Sequence, residues 1–445
     1  MFESILIANR GAVAARIVRA CKALGVRSIC IYSEADAASP FLKEADEAHE
    51  IGPGPAPQSY LDQEKVLALA ERVGARAIHP GYGFLSENAD FAEKVIERGL
   101  AFIGPSPRFI RAMGHKTRAR DLAAEHGLPV APGTQLVSEN LDDLLAAART
   151  IGYPLMVKPA GGGGGIGMLP VHDESQLAAA VERSRSMAQR GFANAEIYLE
   201  KLMRTPRHIE FQVVGDRAGN VRHVFERDCS AQRRNQKIIE EAVAPGVPRA
   251  VIEALGEKIA TVLTEIGYDN IGTVEMLMDA DGTFSFLEMN TRLQVEHGVT
   301  EEVTGIDLVV SQIRLAAGEP IDAVLPVPPK VSGHAVQARV YAEDPKRFLP
   351  SPGTLQVFRP PSGVRVETGY GEGCKISTFY DPLVAKVIAH GATREEATAR
   401  LSAALDGFVI EGVKTNIPAL QSILRSQAFR DGLVHTGLVA EVMAA

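Results

Sequence analysis

Lys158–Met168 reads KPAGGGGGIGM and closes a short apolar run, YPLMVKP. It contains a literal G-x-G-x-x-G at Gly162, Gly164 and Gly167, a pattern used to bind dinucleotide pyrophosphates. It lacks the Gly-Lys-Ser/Thr ending of a P-loop. A dinucleotide site also needs a helix directly after the glycines, with its N-terminus facing the pyrophosphate. Here MLPVHDESQLAAAVERS follows: a strand, a turn with capping residues, and only then a helix. The glycines therefore join two strands. Bare N–H groups in such a hairpin can fold over an anion, so the stretch reads as a mobile phosphate-covering flap. A plain flexible linker is the alternative.

The chain around this flap is 445 residues long, enough for two to four domains. It is 46% hydrophobic and 23% charged, as soluble globular proteins are. A net charge of −8 and the lack of a long basic run argue against nucleic acid as a partner. Cys21, Cys30, Cys229 and Cys374 form no CxxC pair. That argues against a disulfide framework or a zinc site and fits a reducing, cytoplasmic setting. The opening MFESILIANRG has too short an apolar run for a signal peptide or a membrane span.

Strand and helix alternate over the first hundred residues: SILIAN, then the helix GAVAARIVRACKALG, then the strands VRSICIYSEAD, ARAIHP and LAFIGPS. This predicts an α/β unit with a parallel sheet. Pro and Gly punctuation marks a boundary near 114–130, and a small unit holding the flap follows to about 203. Beyond Arg204 the texture becomes antiparallel. RHIEFQVVGDRAGNVRHVFERD reads as two strands about a turn. After the helix PRAVIEALGEKIATVLTEIG comes a second hairpin, GTVEMLMDADGTFSFLEMNTRLQVEH. The tail from Val331 adds strands and a late helix, TREEATARLSAALDGF.

The second hairpin carries the chemistry. Pairing outward from its DADG turn sets Glu275 close to opposite Glu288. Like charges facing across strands destabilise a hairpin, and a divalent cation between them would reverse the sign. Magnesium suits one or two carboxylates plus substrate phosphates. After Glu288 the strand is expected to continue with period two, placing Glu288, Asn290, Arg292, Gln294 and Glu296 on one face and Leu287, Met289, Leu293 and Val295 on the other. Arg292 beside Glu296 would keep that carboxylate ionised. Lys116 opens a helix, Lys158 ends the strand before the flap, and Arg233, Arg234 and Lys237 cluster in ERDCSAQRRNQKIIEEA. Such cations stabilise charge on a transferring phosphoryl group.

IANRGAVAARIVRAC, HPGYGFLSEN, GHK, GGGGG, ERDCSAQRR, LEMNTRLQVEH, RVYAEDP and IEGVKTNIPAL stand in the order and spacing of biotin carboxylase. The chain thus resembles the biotin carboxylase component of an acyl-CoA carboxylase, an ATP-grasp ligase. The likeness spans all but the last ten or so residues. It implies an α/β and α+β fold: a Rossmann-like N-terminal domain (1–114), a linker (115–130), a glycine-rich lid (131–203), an ATP-grasp body (204–330) and a C-terminal domain (331–445). It implies ATP, magnesium or manganese, and biotin as a carrier-bound substrate. It also implies a homodimer, with the biotin carrier protein and the carboxyltransferase as separate chains.

Residue by residue, the resemblance places Lys116, Lys158 and His208 on ATP phosphates or ribose, with Gly164 and Gly165 in the flap. Glu200, Lys201, Leu202 and Met203 would line the adenine, and Gln232 and Asn235 would also meet the nucleotide. Glu275, Glu288 and Asn290 match the metal ligands. Lys237, Arg292, Gln294 and Val295 match the bicarbonate site. Glu296 matches the general base, and Tyr82 and Arg339 the biotin site. Three positions depart from the common pattern: Ile166 stands where Arg or Lys is usual, Asn235 where many members have His, and Gly298 where Pro is common. Similar variants occur in urea-carboxylase-like branches, which leaves the carboxyl acceptor open. Another ATP-grasp ligase, a non-catalytic ATP-binding scaffold and a nicotinamide dehydrogenase are the competing readings.

Overall fold

The computed structural model describes residues 1–137, 140–161, 167–192, 194–326 and 328–445. The N-terminal sheet is parallel, with Ser4–Ile7 at its centre. Arg27–Ser33 and then Glu47–Gly52 lie on one side of it, and Ala77–His79 and Ala101–Phe102 on the other. Apolar runs such as SILI are buried on both faces, as a parallel sheet covered by helices requires. The strand Glu47–Gly52 escapes the sequence reading because EAHEIG is a half-exposed edge with little apolar signal.

The strands expected on either side of the glycines are present. Leu155–Pro159 pairs antiparallel with Leu169–Val171, inside a four-stranded sheet completed by Ile197–Lys201 and Gly133–Leu136. Leu144, Ala148, Leu177 and Val181 of two helices pack on this sheet.

An eight-stranded antiparallel sheet dominates the rest, beside two small two-stranded sheets. Its order runs Phe284–Asn290, Asn270–Met278, Arg207–Gly215, Val221–Arg233, Gln236–Ala242, His334–Tyr341, Leu383–Gly391 and Arg365–Thr368. The sheet passes without a break from residues of the body to residues beyond 331, through the pairing of Gln236–Ala242 with His334–Tyr341. Residues 116–125, in the stretch read as a linker, form a helix. The backbone N–H of Lys116 donates to Ala160 at 2.8 Å, which ties this helix to the end of a lid strand.

One expectation fails. The strand of the second hairpin ends at Asn290, and Glu296 instead precedes the helix His297–Thr304. Glu87 takes the chain out of the sheet. Its carboxylate accepts from the Thr291 backbone N–H at 3.2 Å and from Arg292 Nε at 2.7 Å.

Candidate active site

A cavity of about 490 Å³ lies between the lid sheet and the eight-stranded sheet. The lid wall supplies Lys158 and Glu200, which form a buried ion pair across two neighbouring strands. Lys201, Leu202 and Met203 follow along the same wall. Leu277 and Leu287 of the second hairpin line it too, as does Thr436 near the C-terminus. Thr436 comes from the tail that the sequence left unread. Its backbone N–H donates to Pro206 at 3.0 Å, so the tail helps close the cavity.

The two carboxylates of the hairpin are cross-strand partners, as turn counting predicts. The protein itself offsets their repulsion by giving each its own cation. Lys116 pairs with Glu288. Lys237 lies 2.8 Å from Glu275, and His208 Nε2 lies 3.0 Å from it. Asn290 and Gln294 donate to the same Glu275 oxygen at 2.9 and 3.1 Å. Burial alone would raise the Glu275 carboxyl, but Lys237 and His208 hold it well below the usual range. Two carboxylates and an amide oxygen on one cavity wall are hard oxygen donors, the set that suits magnesium.

Lys237 is the hub of the charge cluster. Its ammonium touches Glu210 at 2.5 Å, Glu296 at 2.7 Å and Glu275 at 2.8 Å. Burial would lower its pKa, and these three carboxylates raise it well above the ordinary value. Arg227 is fully buried and backs Glu210 at 2.5 Å. Glu296 also receives Arg339 Nη2 at 3.0 Å. Against burial, Lys237, Arg339 and Arg227 hold the Glu296 carboxyl well below its usual range. That refines the sequence reading: Arg292 does act on Glu296, but Lys237 and Arg339 do more to keep it ionised. Arg292 is taken up by Glu87 at 2.7 Å and by Asn290 Oδ1 at 2.8 Å.

Arg292, Gln294, Val295 and Glu296 still line the cavity, although a loop brings them there rather than one strand face. Gln232 contacts His208 Nδ1 at 3.0 Å and stands on the same wall. Asn235 does so from a tight turn, where Arg234 and Asn235 both take positive φ, 48° and 64°. Asn tolerates that left-handed backbone better than most residues. The cationic cluster of the sequence splits up. Arg233 pairs with Glu343, Arg234 donates to the Arg347 carbonyl, and only Lys237 reaches the cavity.

Tyr82 lies in an adjoining cavity, also of about 490 Å³, lined by Arg10, Phe84, Phe379 and Tyr380. The two cavities share Gln236, Arg292, Val295 and Arg339. Gly164, Gly165 and Ile166 lie outside the described residues. The sequence reading missed Glu210, Arg227 and Glu240. Glu210 was legible, since His208, Glu210 and Gln212 alternate with the apolar Ile209, Phe211 and Val213 in one strand.

Comparison with known proteins fits this geometry. Residues 1–110 match the biotin carboxylase N-terminal domain family and residues 337–441 the biotin carboxylase C-terminal domain family. Residues 115–324 match the ATP-binding domain of the carbamoyl-phosphate synthase L chain. The biotin carboxylase of Halalkalibacterium halodurans is 47% identical, over 99% of this chain and 97% of that protein. This chain belongs to the biotin carboxylase family. Its central domain places it among the ATP-grasp ligases. The biotin carboxylase of Pseudomonas aeruginosa is 46% identical, over 98% of this chain and 97% of that one. The biotin carboxylase domain dimer of the Hydrogenobacter thermophilus 2-oxoglutarate carboxylase superposes with a TM-score of 0.96 at 42% identity. That match covers 100% of this chain and 99% of the other, in a complex with MgADP, ADP and bicarbonate. Among the described residues, no helix is long and apolar enough to cross a membrane.

Proposed function

We propose that this chain uses ATP to carboxylate biotin on a carrier protein, by way of carboxyphosphate. One observation carries the reading. The Glu296 carboxylate sits between Lys237 and Arg339 on the wall of one cavity, and Arg339 also lines a second. One cavity has the cations and carboxylates that suit a nucleoside triphosphate. The other opens beside Tyr82 and shares Arg339, which suits the ureido ring of biotin.

Lys116, Lys158 and His208 meet the ATP phosphates or ribose. Lys201, Leu202, Met203 and Glu200 flank the adenine. Glu275, Glu288 and Asn290 would hold magnesium or manganese, which when bound neutralises charge on the phosphates. Bicarbonate sits against Lys237, Arg292, Gln294 and the Val295 backbone. Glu296 removes its proton, and the bicarbonate oxygen attacks the γ-phosphorus as the bond to ADP breaks. Carboxyphosphate then splits into carbon dioxide and phosphate beside biotin. The phosphate takes the ureido N–H proton. Arg339 faces the ureido oxygen and stabilises its enolate, and the nitrogen attacks carbon dioxide.

The carrier and the carboxyltransferase are separate chains in this reading, and the functional unit is a homodimer. An acyl-CoA is the final acceptor. A urea-like or amide acceptor is the second reading, favoured by Asn235 and Gly298. The test is ATP turnover by the purified chain with magnesium and bicarbonate, with and without free biotin. Biotin should raise the rate above the bicarbonate-only level. No stimulation would count against the assignment.

A further inference from the structure

We propose that Glu240 is a positioning residue for this reaction, holding Arg339 in place while Glu296 changes its charge. The inference rests on the functional reading above and adds a group to it. Glu240 is fully buried and lies on the strand Gln236–Ala242. One carboxylate oxygen accepts from Arg339 Nε, and the other accepts from Gln337 Nε2 at 3.0 Å. Gln337 is its direct cross-strand partner, so the sheet register fixes where the carboxylate points. Arg339 lies two residues along from Gln337, on the same face of that strand.

The geometry separates two holds on one guanidinium. Glu240 takes Nε, and Glu296 takes Nη2 at 3.0 Å. Arg339 lines both cavities, and Glu240 lines neither. Glu240 therefore acts through Arg339 and does not touch substrate. In the proposed cycle Glu296 gains a proton, and its attraction for Nη2 falls at that moment. Burial pushes the Glu240 carboxyl up, Arg339 and Gln337 pull against that, and no step of the proposed cycle delivers a proton to it. The guanidinium then stays aimed at the ureido oxygen when the enolate forms. With Glu240 neutral, Glu296 is the one charged carboxylate among the described residues still hydrogen-bonded to Arg339, and it draws the guanidinium towards the bicarbonate end. Displacements of about 1 Å at a reacting group cost up to about a hundredfold in rate.

The test is Glu240→Gln in the full chain, with ATP turnover measured on magnesium and bicarbonate, with and without free biotin. The biotin-dependent increment should fall about tenfold or more, while bicarbonate-only turnover and the KM for ATP stay within about threefold. Adding Glu240→Gln to Arg339→Gln should cost nothing further, because the first acts only through the second. Glu240→Asp keeps the charge on a shorter arm, should recover part of the increment, and serves if the Gln variant does not fold. An undiminished increment, or both rates falling in parallel, would overturn the proposal. A parent chain that biotin does not stimulate overturns the functional reading, and this inference with it.

Discussion

Two buried charge clusters in this molecule are mirror images. In the active site a lysine is the hub, and Lys237 is shared by Glu210, Glu275 and Glu296. Near the helix His297–Thr304 an acid is the hub. Glu367 meets Lys386 at 2.5 Å, Arg16 Nε at 3.6 Å, and Arg365 as well. Burial would raise the Glu367 carboxyl, but Lys386 and Arg365 hold it well below its usual range. The first cluster opens onto the cavity that suits ATP. The second touches the active loop through one hydrogen bond, from Lys386 Nζ to the Val295 carbonyl at 2.9 Å. Paired charges thus serve two purposes. Beside the cavity they hold the Glu296 carboxyl in its charged form. Behind the loop they fix backbone.

The largest effect should come from the first cluster. Glu296→Gln keeps size and hydrogen-bonding reach but removes the base, and loss of a general base costs about a hundred- to ten-thousandfold in rate. Bicarbonate-dependent turnover should fall by that order, with nucleotide affinity nearly unchanged because Lys116, Lys158 and Glu288 remain. A near-parental rate would show that Glu296 is not the base. Stability has a sign of its own here. The folded Glu296 carboxyl lies below its ordinary value, so its contribution is present above the unfolded pKa of about 4.3. It is lost as pH falls through the depressed folded value. Acid unfolding of the Gln variant should therefore begin at lower pH relative to its own neutral stability.

The second cluster should fail differently. Lys386 is fully buried. Lys386→Met leaves Glu367 short of one of its two close cations and the Val295 carbonyl without this donor. Removing one partner of a buried pair costs about 3–5 kcal/mol. Arg365 and Arg16 still face Glu367, so the lower end applies. Denaturant unfolding should show that loss, and Lys386→Met with Glu367→Gln should recover part of it. Turnover per folded molecule should fall far less than in Glu296→Gln. A hundredfold loss of turnover with no loss of stability would erase the contrast between the clusters.

Local pattern made the first cluster largely legible and hid the second. Glu275 and Glu288 could be paired from sequence, because a short turn fixes antiparallel register and the side-chain period is two. Glu367 and Lys386 also face each other across strands, but nothing in the intervening loops announces that pairing. Glu240 meets Gln337 and Arg339 from almost a hundred residues away, so its role appears only once the sheet is assembled. The false strand from Asn290 to Glu296 has the same origin. Its polar alternation is real, and a distant carboxylate, Glu87, bends the chain out of the sheet. Family resemblance supplied what local pattern did not, biotin above all.

The smallest effect concerns Gly298, where Pro is common in the family. Gly298 lies in the first turn of the helix His297–Thr304, between the two clusters. A Cβ built there would overlap Ile388 Cδ1. Ile388 is buried beside Val299 and Val303, so its end carbon has little room to move aside. Gly298 and Ile388 thus read as a matched pair, the missing side chain of one making space for the other. Overpacking of this kind costs about 1–3 kcal/mol, while Ala regains about 1 kcal/mol over Gly in a helix. Gly298→Ala should therefore destabilise by up to about 2 kcal/mol in denaturant unfolding. Ile388→Val removes the clashing carbon, so the two changes together should be more stable than the sum of their separate effects. Strict additivity would show that Ile388 moves freely and that the spacing beneath this helix does not constrain the loop bearing Glu296.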